Sequence, residues 1–150
     1  MVTRADPRTL HDLRRRVLRG GDPDSVVDDP RDDEPTSRHY GGYLDETLVV
    51  CASYYRSRAP VNTELVSAQL RYMATDVDFQ GCGYGARVLD AAEVDLREGG
   101  VEQLWAYGRD SALGFYRSVG WSTVEGSEHL SAETGLPHTT ILKLLSPRNS

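Results

Sequence analysis

The sequence predicts a mixed α/β domain, and three observations carry that prediction. Two strand-like runs meet at a short acidic turn, an apolar run feeds a glycine turn that opens an amphipathic helix, and a second short helix pattern separates the strands that follow. The resulting order is helix, three strands, helix, strand, helix, two strands, which is not a strict βαβ repeat. The 150 residues suit one domain with one core.

Asp6-Pro7 reads as an N-cap followed by proline at the first helical position, and Leu10, Leu13, Val17 and Leu18 then recur at helical spacing. The helix should end near Gly20-Gly21. From Asp22 to Pro35 the chain is crowded with aspartate and punctuated by Pro23, Pro30 and Pro35, which reads as a mobile, solvated loop with room for a short helical turn. His39 to Leu44 and Leu48 to Arg56 form the expected hairpin around Asp45-Glu46. Leu65 to Asp76 is a third strand, with Leu70, Tyr72 and Ala74 expected on one face and Arg71, Met73 and Thr75 on the other.

Gly83 to Glu98 carries Val88, Leu89, Ala92 and Leu96 on one stripe and stops at Gly99-Gly100. Val101 to Tyr107 is a short apolar strand. Ser111 to Val119 reads as a helix capped by Ser111 and closed by Gly120, and Trp121 to Val124 and His138 to Leu145 are the closing strands.

The net charge of −6 argues against nucleic-acid binding, which needs clustered basic residues. Cys51 and Cys82 lie far apart with no C-x-x-C pairing, so neither a disulfide framework nor a metal site is expected, and the cytosol is the expected compartment. No apolar run approaches the roughly 18 residues of a spanning helix, so no membrane role is expected.

The turn Gln80-Gly81-Cys82-Gly83-Tyr84-Gly85-Ala86 carries the chemistry. The first turn of a helix holds N–H groups with no internal partner at the positive end of the helix dipole, and glycines let that backbone approach a phosphate. The run also satisfies G-x-G-x-x-[GA]. A dinucleotide site, however, would place an acidic residue at the end of the next strand to hold the ribose, and here that strand ends in Ala106-Tyr107-Gly108-Arg109. A P-loop is excluded because the turn has no lysine and no hydroxyl partner.

The turn resembles the acyl-CoA turn Q/R-x-x-G-x-G/A of the GNAT N-acetyltransferase family. Ala112-Leu113-Gly114-Phe115-Tyr116-Arg117-Ser118-Val119-Gly120-Trp121 is similar to its A-x-x-F-Y-x-x-x-G-F/W segment. The resemblance covers about residues 38–145, and Leu70-Arg71-Tyr72-Met73-Ala74-Thr75, Leu104 to Arg109 and Leu136-Pro137-His138 resemble L-R-G-M-A-T, L-W-C-N-A-R and G-P-H elements of bacterial members. Tyr107 departs from that pattern, standing where such members carry an asparagine that can orient the cofactor arm or a water. The resemblance implies a mostly antiparallel sheet with one parallel pair at the cofactor cleft, flanked by helices. It also implies an acetyl-CoA-dependent transfer to a primary amine of a small molecule or peptide, by direct attack in a ternary complex.

By the same resemblance, Met73, Ala74 and Thr75 pair with the pantetheine arm while Gln80, Gly81, Cys82, Gly83, Tyr84, Gly85 and Ala86 hold the pyrophosphate. Tyr107, Ala112, Phe115 and Tyr116 complete the cofactor wall. Tyr116 is the candidate general acid. His138 and Glu64 are candidates for the general base, with His39 and a water relay as further alternatives. Arg71 and Arg109 are candidates to clamp a substrate carboxylate or the CoA phosphates, or to pair with the chain's own acids. A non-catalytic acyl-CoA-binding or sensor module is the alternative function. Such domains frequently form dimers, and the apolar last strand Thr140 to Leu145 is a candidate contact.

Overall fold

A computed structural model describes residues 1–145. Its strands are β1 (Val2–Arg4), β2 (Arg38–Leu44), β3 (Thr47–Arg56), β4 (Ser67–Thr75), β5 (Gln103–Arg109), β6 (Ser122–Thr123), β7 (His129–Leu130) and β8 (Pro137–Leu144). The α-helices are α1 (His11–Leu18), α2 (Tyr84–Glu98) and α3 (Leu113–Ser118). One sheet runs in the order β1-β2-β3-β4-β5-β8-β6, with β7 also on β8. Every pairing is antiparallel except β4 with β5, as the fold expectation requires.

The helices begin and end for local reasons. Asp6 accepts from the Arg8 N–H and Pro7 opens a single 3-10 turn that runs into α1. Leu10 and Leu13 then pack on Cys51 and Ala74 on one face of the sheet. On the opposite face, Val88, Leu89, Ala92 and Leu96 of α2 join Tyr54, Leu70, Leu104, Ala106, Tyr116, Trp121 and Ile141 in the main core. The two faces therefore carry different helices, which decides what each end of the central cleft can hold.

Several expectations need correction. The loop over residues 22–35 has no helix or strand, but it is not merely solvated: Val27, Asp29 and Asp32 are buried. Fully buried Arg14 holds the loop through its Val27 carbonyl at 2.8 Å and Asp32 at 3.3 Å. Ser111 caps nothing. A 3-10 turn over Asp110–Ala112 precedes α3, and neither has a side-chain cap. β8, which holds most of the expected contact strand Thr140 to Leu145, is paired by β5 on one edge and by β6 and β7 on the other. The short strands β1 and β7 carry too few residues to show a period in sequence.

The alternation expected for β4 fails at one point. Ser53 pairs Arg71 while Cys51 pairs Ala74, so two steps along β3 match three along β4. That bulge falls at Tyr72, whose φ of 56° lies in the left-handed region. The extra residue turns Met73 to the α2 side with Leu70, whereas Ala74 packs under α1. Tyr72 is covered by Arg14, whose guanidinium carbon lies 4.2 Å from the ring centroid.

Candidate active site

β4 and β5 pair only at Ser67–Gln103, Ala68–Leu104 and Gln69–Trp105. Beyond that point they diverge, leaving the facing backbone edges from Leu70 and from Ala106 onward without a strand partner. The divergence opens a cleft of about 900 Å³ lined by residues of β4, β5, α3, the end of α1 and the β7–β8 segment. Its far end is the glycine turn. Gly81 and Gly83 adopt φ of 79° and 85°, and no side chain caps α2, so its first N–H groups face outward. Gln80 braces this turn by donating from Nε2 to the Thr75 carbonyl at 3.1 Å.

Met73, Gln80, Tyr107, Ala112 and Tyr116 all line the cleft. Ala74 and Thr75 continue the unpaired edge of β4, and Cys82, Tyr84 and Ala86 lie in or directly after the glycine turn. Gly85 must be small, because a Cβ there would meet Met73 Cε at 2.9 Å and Phe115 Cζ at 3.1 Å. Phe115 is not among the residues lining the cleft but packs beside Gly85, about one-third exposed, and Tyr107 is half exposed with its ring edge-on to Trp105 and His129.

Tyr116 is buried against Trp121 and Phe115. Burial pushes its hydroxyl pKa up to about 12, with the nearby Arg109 cation opposing the shift. The phenol therefore stays protonated throughout the neutral range.

His138 is buried at the head of β8, directly across from Arg109 in the β5–β8 register. Its Nδ1 lies 2.9 Å from the Leu136 carbonyl, which can only accept. The proton of the neutral ring therefore sits on Nδ1, and Nε2 keeps its lone pair. His39 is different. Its Nε2 donates to the Asp32 carbonyl at 2.9 Å, its Nδ1 accepts from Ser53 Oγ at 2.8 Å, and burial lowers its pKa. Both nitrogens are occupied, outside the cleft. Glu64 is exposed ahead of β4, at the strand end remote from the glycine turn, and does not reach the cleft.

Three residues gain a place that their sequence positions did not reveal. Glu133 bridges Arg19 and Arg71 at 2.8 Å each and closes one side of the cleft. Arg71 also holds Asp29 at 3.0 Å, which ties the residue 22–35 loop to β4. His129 of β7 lies beside His138, ring centroids 6.0 Å apart. An acid in a Ser-Ala-Glu-Thr-Gly turn has no spacing that marks it in advance.

A strand edge stripped of its partner, a glycine turn at a helix start and a buried protonated tyrosine now stand together. The acetyltransferase (GNAT) family pattern matches residues 8–121. This chain belongs to that family. YitI, an uncharacterised N-acetyltransferase of Bacillus subtilis (strain 168), is 31% identical over 111 residues, covering 74% of each chain. An uncharacterised acetyltransferase from the arcA 3′ region of Streptococcus pyogenes is 37% identical over 92 residues, 57% of this chain and 62% of that one. Among solved structures, a ribosomal-protein-alanine N-acetyltransferase from Brucella melitensis superposes with a TM-score of 0.74 at 16% identity, covering 97% of this chain and 99% of that one. An aminoglycoside 6′-N-acetyltransferase complexed with coenzyme A gives 0.71 at 13%, covering 100% and 99%. The last two share the fold of this acetyltransferase, and they are named for unlike acceptors. No helix among the described residues is long and apolar enough to cross a membrane.

Proposed function

We propose that this GNAT acetyltransferase moves an acetyl group from acetyl-CoA to a primary amine by direct attack in a ternary complex, with residues 1–150 as one transferase unit in the cytosol. The divergence of β4 from β5 toward the uncapped start of α2 carries the reading. The pantetheine arm has two amides that need partners, and the open edge of β4 at Met73, Ala74 and Thr75 offers them. The pyrophosphate meets the N–H groups from Gly81 to Ala86.

The amine nitrogen attacks the thioester carbon. A backbone N–H near Met73, set out of the ladder by the Tyr72 bulge, stabilises the oxyanion. As the C–S bond breaks, Tyr116 gives its proton to the departing sulfur, and the resulting tyrosinate is reprotonated from solvent. Nε2 of His138 takes one proton of the incoming ammonium before attack, and the second nitrogen proton passes to solvent as the tetrahedral adduct collapses to the amide.

Calorimetric titration with acetyl-CoA, and with NAD as control, tests the donor. Gly83→Asp is compared with Gly83→Ala: a Cβ there meets nothing within 4 Å, but the φ of 85° strains either replacement, so the loss in Gly83→Asp beyond that in Gly83→Ala reports the added negative charge. Micromolar binding lost in Gly83→Asp supports the reading, and preferential NAD binding refutes it. Thiol release across an amine panel then tests the chemistry. Tyr116→Phe should retain acetyl-CoA binding and lose about 10²–10⁴-fold in kcat. A variant as fast as wild type would remove Tyr116 from the proton path.

A further inference from the structure

The acceptor half of the cleft carries a charge pattern that names a substrate class. The charged residues lining the cleft are Arg19, Arg71, Arg109 and Glu133, so cations outnumber anions three to one. Arg19 and Arg71 share the single carboxylate of Glu133, and Arg71 also pairs Asp29. Arg109 has no carboxylate within reach among the described residues; its one hydrogen bond goes to the Leu18 carbonyl at 3.1 Å. Burial and the neighbouring Arg19 both work against its charge. A part-buried guanidinium with no counter-ion, flanked by a second cation, is a site for an anion.

The position of Arg109 separates acceptor from cofactor. On β5, Leu104 and Ala106 point into the core beneath α2, and Gly108 faces Leu113 and Ile141 on that same side. Arg109 alternates to the other face, where it bonds the end of α1 and stands across from His138. The glycine turn opens α2, which packs on the first face. The cleft thus runs through the sheet, with backbone donors for the cofactor phosphates at one end and Arg109 at the other.

We propose that Arg109 binds a carboxylate of the acceptor, so that the acceptor is an amino-carboxylate. The inference rests on the transfer reaction proposed above. Arg109 and Tyr116 line the same cleft, so a carboxylate held on Arg109 keeps the rest of the acceptor in the space where the thiolate leaves. Glu133 shows the same chemistry within the chain, since one carboxylate already joins two of the cleft's arginines. Polycationic amines are disfavoured by the same arginines.

The test pairs each of a set of free amino acids with its α-carboxamide, adds spermidine, and reads thiol release from acetyl-CoA by wild type, Arg109→Gln and Arg109→Lys. Wild type should prefer the acid over the amide at least tenfold in kcat/KM. Arg109→Gln should reduce that ratio below about threefold by raising KM for the acid, with KM for acetyl-CoA unchanged, and Arg109→Lys should restore part of it. Equal use of acid and amide, a preference for spermidine, or a rise only in the acetyl-CoA KM would overturn the proposal, the last by assigning Arg109 to a CoA phosphate. Direct titration of N-acetyl amino acids into both proteins, with and without CoA, reads the arginine site even where no thiol is released. Binding that depends on Arg109 supports the proposal, and identical binding or none defeats it. Loss of acetyl-CoA binding or turnover with Arg109-dependent binding intact would instead defeat the donor assignment.

Discussion

Arg14→Met tests whether the buried polar network under β4 holds the site together. Arg14 is wholly buried: Nη1 donates to the Val27 carbonyl, Nη2 donates to Ser53 Oγ at 2.8 Å, and the guanidinium caps Tyr72 at the β4 bulge. Asp32 is nearly as buried and accepts from Tyr55 Oη, the Asp29 N–H and Arg14. Burial works to raise the Asp32 pKa, yet these donors hold it below the usual carboxylate range. Methionine replaces the stem volume but leaves the carboxylate without its cation. Removing one partner of a buried pair costs about 3–5 kcal/mol, a large part of the roughly 5–15 kcal/mol that holds a domain folded. At about 2–4 °C per kcal/mol for a chain of this size, Tm should fall by about 6–20 °C.

Urea unfolding followed by far-ultraviolet circular dichroism and tryptophan fluorescence measures the loss. Its slope with denaturant should stay near wild type if only stability has changed. Arg14→Met with Asp32→Asn should recover about half of the loss, because the second change removes the orphaned charge. A loss below about 1 kcal/mol in the single variant, or simple additivity in the double, would show that the network is screened and that the argument from burial is wrong. Catalysis offers an independent readout. Tyr72 holds a positive φ only while its surroundings enforce it, at a cost of about 1–3 kcal/mol, so Arg14→Met should lower kcat without changing the cleft's own side chains.

Three further outcomes follow from the geometry. Asp29, paired with Arg31 and Arg71, has its pKa lowered to about 2 against its own burial, so the folded chain binds that proton more weakly than the unfolded one; its stabilisation should be present above about pH 4 and disappear as pH falls toward 2. His39 is also lowered by burial, so the unfolded chain protonates first and stability should begin to fall below about pH 6.5; urea midpoints across pH, with His39→Gln removing the upper limb, check both. Gly42→Ala should cost about 1–3 kcal/mol, since its Cβ would overlap Val50 Cγ1 in the β2–β3 pair, and a variant with an unshifted urea midpoint would contradict that packing.

The elements with a clear period were legible from residues alone. The stripe Val88, Leu89, Ala92 and Leu96 is the buried face of α2, and the turn at Asp45-Glu46 joins β2 to β3. What escaped was structure held by side-chain pairing. Arg14 occupies a place on the Leu10, Leu13, Val17 stripe where an apolar residue belongs, and that misfit was the available sign of a buried partner. Its partners Val27 and Asp32 lie in an aspartate-rich stretch that composition assigns to solvent. The bulge at Tyr72 escaped for a related reason: it arises from pairing across strands and breaks the alternation that a single strand follows.

The two ends of the cleft are written in the chain differently, and this explains why the donor is easier to read than the acceptor. At the proposed cofactor end the available donors are backbone N–H groups, whose placement depends on Gly81 and Gly83 at positive φ and on a strand edge left unpaired. Any side chain compatible with that backbone path preserves the site, so a short motif survives wide divergence. The proposed acceptor end is lined by side chains from α1, β4, β5 and the β7–β8 segment, including Arg19, Arg71, Arg109 and Glu133. Each can change without disturbing the sheet. The shared fold at 13% and 16% identity fits that division, since the backbone superposes along almost the whole chain. Under the proposal, specificity is tested at the unpaired charge of Arg109 rather than in the fold.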